Sequence, residues 1–369
     1  MRKTGGNSCV LQLFASPQWG GGEQYVFDLS RNLLNLGYKI VFVSRKSSDT
    51  ASKLAELGAN ATWLPMKFLF DIWSIWKLAR IIDQESVDVV HAHIFKDAFI
   101  GLFASKLTRR KPRVVLTRHL VKRAKTAWLY CWLYKSIDKI IFVSHLAQYE
   151  FLSSNPCIAE SKMQVVYNSV PPVSGDEGVT DLREKYGIGP DATLLAFVGR
   201  IVPEKGVEVL IEALRPLAHL DFCLLVVGKG QLAYEATLKQ RVAELGLAEK
   251  VIFVGFVHHV AAFIRGMDIG VLPSICRESF GLTVIEFMQA GKPVVATNNG
   301  AQEEIIESGK DGVLVPPEDV AALTEAIAKL LENPAGRFSL GENARHTFSE
   351  RFAYEVFLEK MTRVYSPAK

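Results

Sequence analysis

Twice along this chain, short apolar runs rich in Val, Ile and Phe alternate with segments of helical period, and glycine often separates them. That rhythm is the signature of βαβ units, whose parallel strands need helices on both faces of the sheet. Between the two series lies SVPPVSGDEG (169–178), where two prolines, two glycines and two acids forbid any regular element. The first series predicts strands at Val10–Ala15, Lys39–Ser44, Ala61–Leu64, Val87–His91, Arg113–Thr117, Lys139–Val143 and Met163–Val166. The second predicts them at Thr193–Val198, Phe222–Val227, Val251–Phe253, Asp268–Leu272, Pro293–Ala296 and Val313–Val315. A first helix spans Glu23–Leu36 and stops at Gly37, as helix ends do.

A length of 369 residues exceeds what one hydrophobic core usually fills, so two domains are expected, roughly 1–170 and 171–352. An amphipathic helix follows, with Val356, Phe357, Met361 and Val364 on one side. The five cysteines are odd in number, scattered and free of any CxxC pair, which argues against a disulfide framework and a zinc cluster and for a reducing cytoplasm. The start, Met1-Arg2-Lys3 followed by Cys9–Ala15, faintly imitates a secretion signal, but Gln12 interrupts it and a first strand is the better reading. No run is long and apolar enough for a membrane-spanning helix.

Two constellations carry chemistry. A strand feeds Gly199-Arg200, a short loop, Lys205-Gly206 and a helix from Val207, so two cations and a helix N-terminus converge on a place suited to phosphate. Taken alone, the two could equally be solvated surface cations. The second constellation is ESFGLTVIEFMQAGKPVVAT (278–297). Gly281 permits a close backbone approach, and the helix from Leu282 aims its N–H groups at whatever lies in front. Glu278 and Glu286 offer carboxylates that suit neighbouring hydroxyls, and Glu286 stands in a helix apolar on nearly every side, where an unpartnered acid is costly.

These motifs, FVGRIVPEKG (197–206), the Glu278 to Glu286 segment and DGVLVPPED (311–319), together resemble the retaining GT-B glycosyltransferases of family 4. The resemblance runs from Gly20 to the helix after Pro317. It implies two Rossmann-like domains facing each other across a cleft, the first binding the acceptor and the second a nucleotide-sugar donor. It also implies that the C-terminal helix, about 353–369, crosses back to the first domain. Arg200 and Lys205, with the backbone of Phe280, Gly281 and Leu282, would hold the donor diphosphate. Glu286 would take the ribose hydroxyls, Gly255-Phe256-Val257 would lie beside the base, Gly228-Lys229-Gly230 would border the pocket, and Glu278 would contact the transferred sugar. Gly20-Gly21-Gly22, ahead of the first long helix, would face the acceptor and the donor phosphate. His119 matches the family's histidine after its strand and would hydrogen-bond the donor sugar or orient the reacting centre; His91 and His93 are read as catalytic or structural alike. Asn168 matches an Asn-Gly turn in which Ser169 replaces the glycine, so a different turn is expected.

The expected reaction moves a hexose or N-acetylhexosamine from a UDP- or GDP-sugar to a hydroxyl of a glycan or lipid-linked glycan, with retention. No cofactor is expected, and the lack of a DxD-type acidic pair predicts metal independence. A nucleotide-sugar epimerase of related architecture is the alternative. A nicotinamide dehydrogenase is disfavoured by the lack of GxGxxG with a following acid. From Lys106 to Lys125 basic residues accumulate without an acid, and Trp128, Tyr130, Trp132 and Tyr134 follow. The stretch 106–134 therefore offers either a peripheral contact with an anionic membrane or core-packed aromatics under solvated cations. Nucleic acid is not an expected partner, since no recognised fold accompanies the charge.

Overall fold

The computed structural model describes residues 8–15, 21–172 and 182–366. Gly20, the linker residues 173–178 and Met1-Arg2-Lys3 lie outside them. The backbone divides into two units, Met1–Asn168 with Glu355–Lys369, and Ser169–Tyr354.

Unit 1 contains strands β1 (Cys9–Phe14), β2 (Lys39–Ser44), β3 (Ala61–Trp63), β4 (Val89–Ala92), β5 (Arg113–Arg118), β6 (Lys139–Phe142) and β7 (Met163–Val165). Its helices are α1 (Gly21–Asn35), α2 (Ser48–Glu56), α3 (Ile72–Gln84), α4 (Phe95–Leu107), α5 (Trp128–Ser136) and α6 (His145–Leu152). All seven strands are parallel, in the order β3-β2-β1-β4-β5-β6-β7. Every residue of β1 is buried, as expected of a central strand covered on both faces. Gly37, at φ +86°, ends α1: its N–H and that of Tyr38 bond back to Leu34 and Leu33. The helix begins earlier than the sequence suggests. Gly21 and Gly22 form its first turn rather than a loop ahead of it, because first-turn N–H groups need no partner within the helix.

Unit 2 runs α7 (Leu182–Tyr186), β8 (Thr193–Val198), α8 (Val207–Leu214), β9 (Phe222–Val227), α9 (Leu232–Glu244), β10 (Val251–Gly255) and α10 (Val260–Arg265). It continues with β11 (Ile269–Leu272), α11 (Leu282–Gln289), β12 (Val294–Thr297), α12 (Gln302–Ile305), β13 (Val313–Val315), α13 (Val320–Glu332) and α14 (Pro334–Thr347). Its six parallel strands take the order β10-β9-β8-β11-β12-β13. The chain enters this unit at Ser169, slightly before the expected boundary. The serine that replaces the family's glycine donates its hydroxyl to the carbonyl of Phe352 at 2.5 Å, binding this segment to the unit's last turn.

Helix α15 (Tyr354–Tyr365) belongs to unit 1 for most of its length. Phe357, Met361, Val364 and Tyr365 are buried, and Val356 is only half-buried. The Phe357 ring meets Tyr25 edge-on at 5.5 Å, and Tyr25 Oη lies 3.6 Å from Met361 Sδ. Arg113 donates to the carbonyls of Val364 and Ser366 at 3.0 and 2.6 Å.

Within 106–134 the aromatics fill the fold instead of standing free. Tyr134 is fully buried, Trp132 stacks on Phe103 at 4.9 Å, and Tyr130 meets Phe99 edge-on at 5.4 Å; Trp128 alone of the four is exposed. Acids absent from the run arrive from elsewhere, Asp88 pairing with Arg110 and Glu150 with Arg123. No described helix is long and apolar enough to cross a membrane.

Because Met361 is fully buried against Tyr25, Met361→Ala should destabilise the protein by about 2–5 kcal/mol. Urea denaturation measures it, and a cost below about 1 kcal/mol would mean that α15 does not seal this core.

Candidate functional site

In unit 2 the chain steps from β8 out through β9 to β10, and from β11 out through β12 to β13, so the loops after β8 and β11 diverge at the point where the order reverses. Such a divergence opens a crevice at the carboxyl ends of the strands. Glycine sets how closely these loops pack. Gly206, at φ +70°, has space for no side chain, since a Cβ there would fall 2.0 Å from the carbonyl oxygen of Pro273. Gly228, at φ +144°, would place a Cβ 1.7 Å from the carbonyl oxygen of Gly199. The segments 199–206, 228–230 and 273–281 therefore abut backbone to backbone.

Lys205 and Glu278 form a half-buried ion pair across this crevice. Ser274 donates its hydroxyl to the same carboxylate oxygen, Glu278 Oε1, at 2.6 Å. The Ser274 carbonyl is in turn held by Thr297 Oγ1 at 2.7 Å. Among the described residues both side-chain bonds fall on Oε1, which leaves Oε2 able to accept from a further donor. The backbone carbonyl of Glu278 accepts from Ala301 N, and Gly300 is packed so tightly that a Cβ would lie 2.6 Å from Glu278 N. Lys205 and Ser274 thus hold the carboxylate, while Ala301 and Gly300 hold the backbone that carries it. Arg200 is exposed and makes no ion pair among the described residues.

Gly281 takes φ +101° at the start of α11, and no described side chain caps that helix, so its first N–H groups, three residues along from Glu278, keep the positive end of the helix uncapped. Phe280 is buried, its ring 6.0 Å from Phe352, so it contributes backbone rather than side chain. Leu282 opens the helix, and Glu286 follows one turn later, half-buried. At the end of β10, Gly255 turns the chain at φ +80° and its carbonyl receives the N–H of Gly228. Phe256 then stands exposed, with Lys229 Nζ 5.4 Å from its ring centre, and Val257 follows half-buried. The sequence-predicted residues of this unit thus gather along adjoining strand ends. Ser274 was missed; one serine in a loop carries no signal of its own.

In unit 1 the equivalent reversal lies between β1 and β4. Here His91, His93 and His119 form a buried polar chain. His93 Nδ1 lies 3.3 Å from His119 Nε2, and His93 Nε2 lies 2.9 Å from Gln12 Oε1. His91 bonds Thr117 Oγ1 and the Tyr365 hydroxyl, both at 2.7 Å. Burial holds His119 down to about 4 and His91 to about 3, with nearby His119 adding to the latter, so all these imidazoles are neutral at pH 7. The two histidines left open in the sequence are thus packed and bonded within the fold, and His119 is the half-exposed end of the chain. A Cβ added to Gly22 would lie 4.0 Å from the His119 ring, so the start of α1 passes close by it.

His93, His119, Thr117 and Gly22 line a cavity of about 450 Å³ together with Arg118, Lys122 and Asp97. Arg118 is buried between the rings of Phe95 and Phe151, at 4.6 and 5.0 Å. Asp97 escaped the sequence reading because an acid in a helix's first turn is ordinary. It is fully buried, accepts from Ala15 N through Oδ2 at 2.9 Å, and its Oδ1 has no partner among the described residues.

Two family models divide the chain between them: glycosyltransferase family 4 over residues 19–173 and glycosyl transferases group 1 over 179–347. An uncharacterized glycosyltransferase of Methanocaldococcus jannaschii is 30% identical over 311 residues, 81% of this chain and 80% of its own length. This chain is a GT-B glycosyltransferase of the family 4 type. The glycosyltransferase is also similar to a lipopolysaccharide core biosynthesis mannosyltransferase of Rhizobium meliloti, 27% identical over 85% of this chain and 88% of that one. Its fold matches that of the Anabaena protein HepE, solved in complex with UDP and glucose, at a TM-score of 0.82 and 21% identity over 97% and 99% of the two chains.

Burial raises the Asp97 carboxyl of this glycosyltransferase to about 7, against the opposing pull of Lys96, Ala15 N–H and Arg45. A carboxyl whose folded pKa is raised ionises first in the unfolded chain, so stability falls as pH rises from about 4 to about 7 and the loss is constant above that. Asp97→Asn should therefore gain on the wild type across that window, by urea denaturation at each pH. A difference that stays flat with pH would mean that Asp97 ionises in its ordinary range.

Proposed function

We propose that the chain transfers a hexose or N-acetylhexosamine from a UDP- or GDP-sugar to a hydroxyl of a glycan or lipid-linked glycan, with retention of configuration and without a metal ion. One observation carries the reading: an exposed cation, a fixed cation–carboxylate pair and a helix start without a side-chain cap lie in the loops at the reversal point of a parallel sheet. A nucleoside diphosphate leaving group develops negative charge as its bond to the sugar breaks. Arg200, Lys205 and the N–H groups at Gly281 and Leu282 would stabilise that charge, the role otherwise filled by a metal. Glu286 would accept from the ribose hydroxyls, and the exposed Phe256 ring beside Gly255 and Val257 gives the base a stacking surface.

Glu278, with Oε1 held by Lys205 and Ser274, would offer Oε2 to a hydroxyl of the transferred sugar. In unit 1 the start of α1 at Gly21-Gly22 and the cavity beside His119 would receive the acceptor, and the basic Arg118, Lys122 and Arg123 at its wall suit one that carries phosphate or carboxylate groups. The complex of HepE with UDP and glucose supports the nucleotide-sugar donor, and the Rhizobium relative supports a lipopolysaccharide or cell-envelope acceptor. Retention follows if the acceptor hydroxyl attacks on the face from which the diphosphate leaves.

The test is a thermal-shift and hydrolysis screen over nucleotide sugars, with and without EDTA. One nucleotide diphosphate or its sugar should stabilise the protein regardless of EDTA, and Glu286→Ala should weaken its binding roughly tenfold or more. Loss of turnover with EDTA would overturn the metal-free reading, and stabilisation by NAD or NADP alone would overturn the donor.

A further inference from the structure

Phe68, Phe70, Ile72, Trp73 and Trp76 are all exposed within nine residues, Ile72 at 78% and Phe68 at 71%. They are not overflow from the core. Helix α3 buries its opposite side through Ser74, Ile75, Leu78, Ala79 and Ile82, which leaves the two tryptophans on an outer face. The loop that presents Phe68 and Phe70 is held by hydrogen bonds. Asp71 accepts from Ser74 N and Lys67 N at 3.1 and 3.2 Å, and Ser74 Oγ accepts from Met66 N at 3.2 Å.

Cations interleave with these rings. Lys77 Nζ lies 4.8 Å from the centre of Trp73, and the Arg80 guanidinium 4.9 Å from that of Trp76. Trp73, Trp76, Lys77 and Arg80 follow an i, i+3, i+4, i+7 spacing and form one stripe. The band continues across α4: Phe70 lies 5.6 Å from Phe103, Phe103 stacks on Trp132, and Lys106 covers Trp132 at 4.6 Å. Of the acids nearby, Asp71 has both oxygens engaged by backbone N–H groups, and Asp83, exposed three residues beyond Arg80, is the acid that ends the stripe.

We infer that this face, from Phe68 to Lys106, docks on the surface of an anionic lipid bilayer. Tryptophan and phenylalanine gain by entering the headgroup boundary, where an indole keeps its N–H wet and its ring dry. Lys77, Arg80 and Lys106, which lie over the rings, would meet the phosphates together with the exposed Lys67. The acidic phospholipid surface complements a rim in which Lys67, Lys77, Arg80 and Lys106 outnumber Asp83 around an aromatic centre. The face centres on Phe68–Arg80 and shares only Lys106 and Trp132 with the 106–134 run, whose Tyr130 and Tyr134 pack inward. It stands independently of the donor site.

The experiment is sedimentation of the full chain with vesicles of phosphatidylcholine alone and of phosphatidylcholine mixed with phosphatidylglycerol. The wild type should pellet with the anionic vesicles, more weakly in high salt, with a blue shift of tryptophan emission. Lys77→Gln with Arg80→Gln should weaken binding roughly fivefold per cation removed. Trp73→Ser with Trp76→Ser should abolish it while circular dichroism stays unchanged, and Trp128→Ser should bind as the wild type does. Equal binding by the Trp73/Trp76 variant, or no binding by the wild type, overturns the inference. So does dimerisation in light scattering that the same variant removes without any vesicle binding, which would assign the face to a second copy of the chain.

Discussion

Parallel strands buried on both faces have no water-facing side on which to display chemistry, so the polar groups that bind ligands collect in the loops at the strand ends. In unit 2 those loops are held together by contacts of bare backbone. Gly206 rests on the carbonyl of Pro273 and Gly228 on that of Gly199, each at a distance where a methyl group would collide. A side chain at either place would push the loops apart and carry Lys205 away from Glu278. The charge arrangement at the crevice therefore rests on the absence of two side chains.

Electrostatics then divides the labour. A half-buried pair such as Lys205–Glu278 costs desolvation on both partners, and the Ser274 hydroxyl offsets part of this by a further bond to the same carboxylate oxygen. Arg200, exposed and unpaired among the described residues, remains open to an incoming anion. Unit 1 follows the opposite rule. Its histidines are kept neutral by burial, with His93 bonded to His119 and His91 to Thr117 and Tyr365, so they can orient a hydroxyl without adding charge.

How much of this was legible in the sequence depended on whether a residue's role is local. The strands were readable because a doubly covered strand is an unbroken apolar run, and Glu286 because a carboxylate in an apolar helix asks for a reason. The His91–Tyr365 bond and the Gln12–His93–His119 chain join residues far apart in sequence, and no spacing encodes them. Gly21 and Gly22 looked like a loop because glycine is a poor helix former, yet at the first turn that propensity counts for little. The aromatics of 68–76 were invisible for another reason. A helix apolar on both faces gives no sign of which face the core takes, and α3 turns Ile75 and Leu78 inward and Trp73 and Trp76 outward.

Helix α15 has a consequence for the order of assembly. The pocket that Met361 and Tyr365 fill is lined by Tyr25 and His91, residues made more than two hundred positions earlier. Unit 1 can form its sheet as it leaves the ribosome, but that flank stays open to water until all of unit 2 has been synthesised and residues 354–366 arrive. The domain that is first to be made is thus the last to be finished, and unit 2, which needs nothing from it to close its own core, is complete before it.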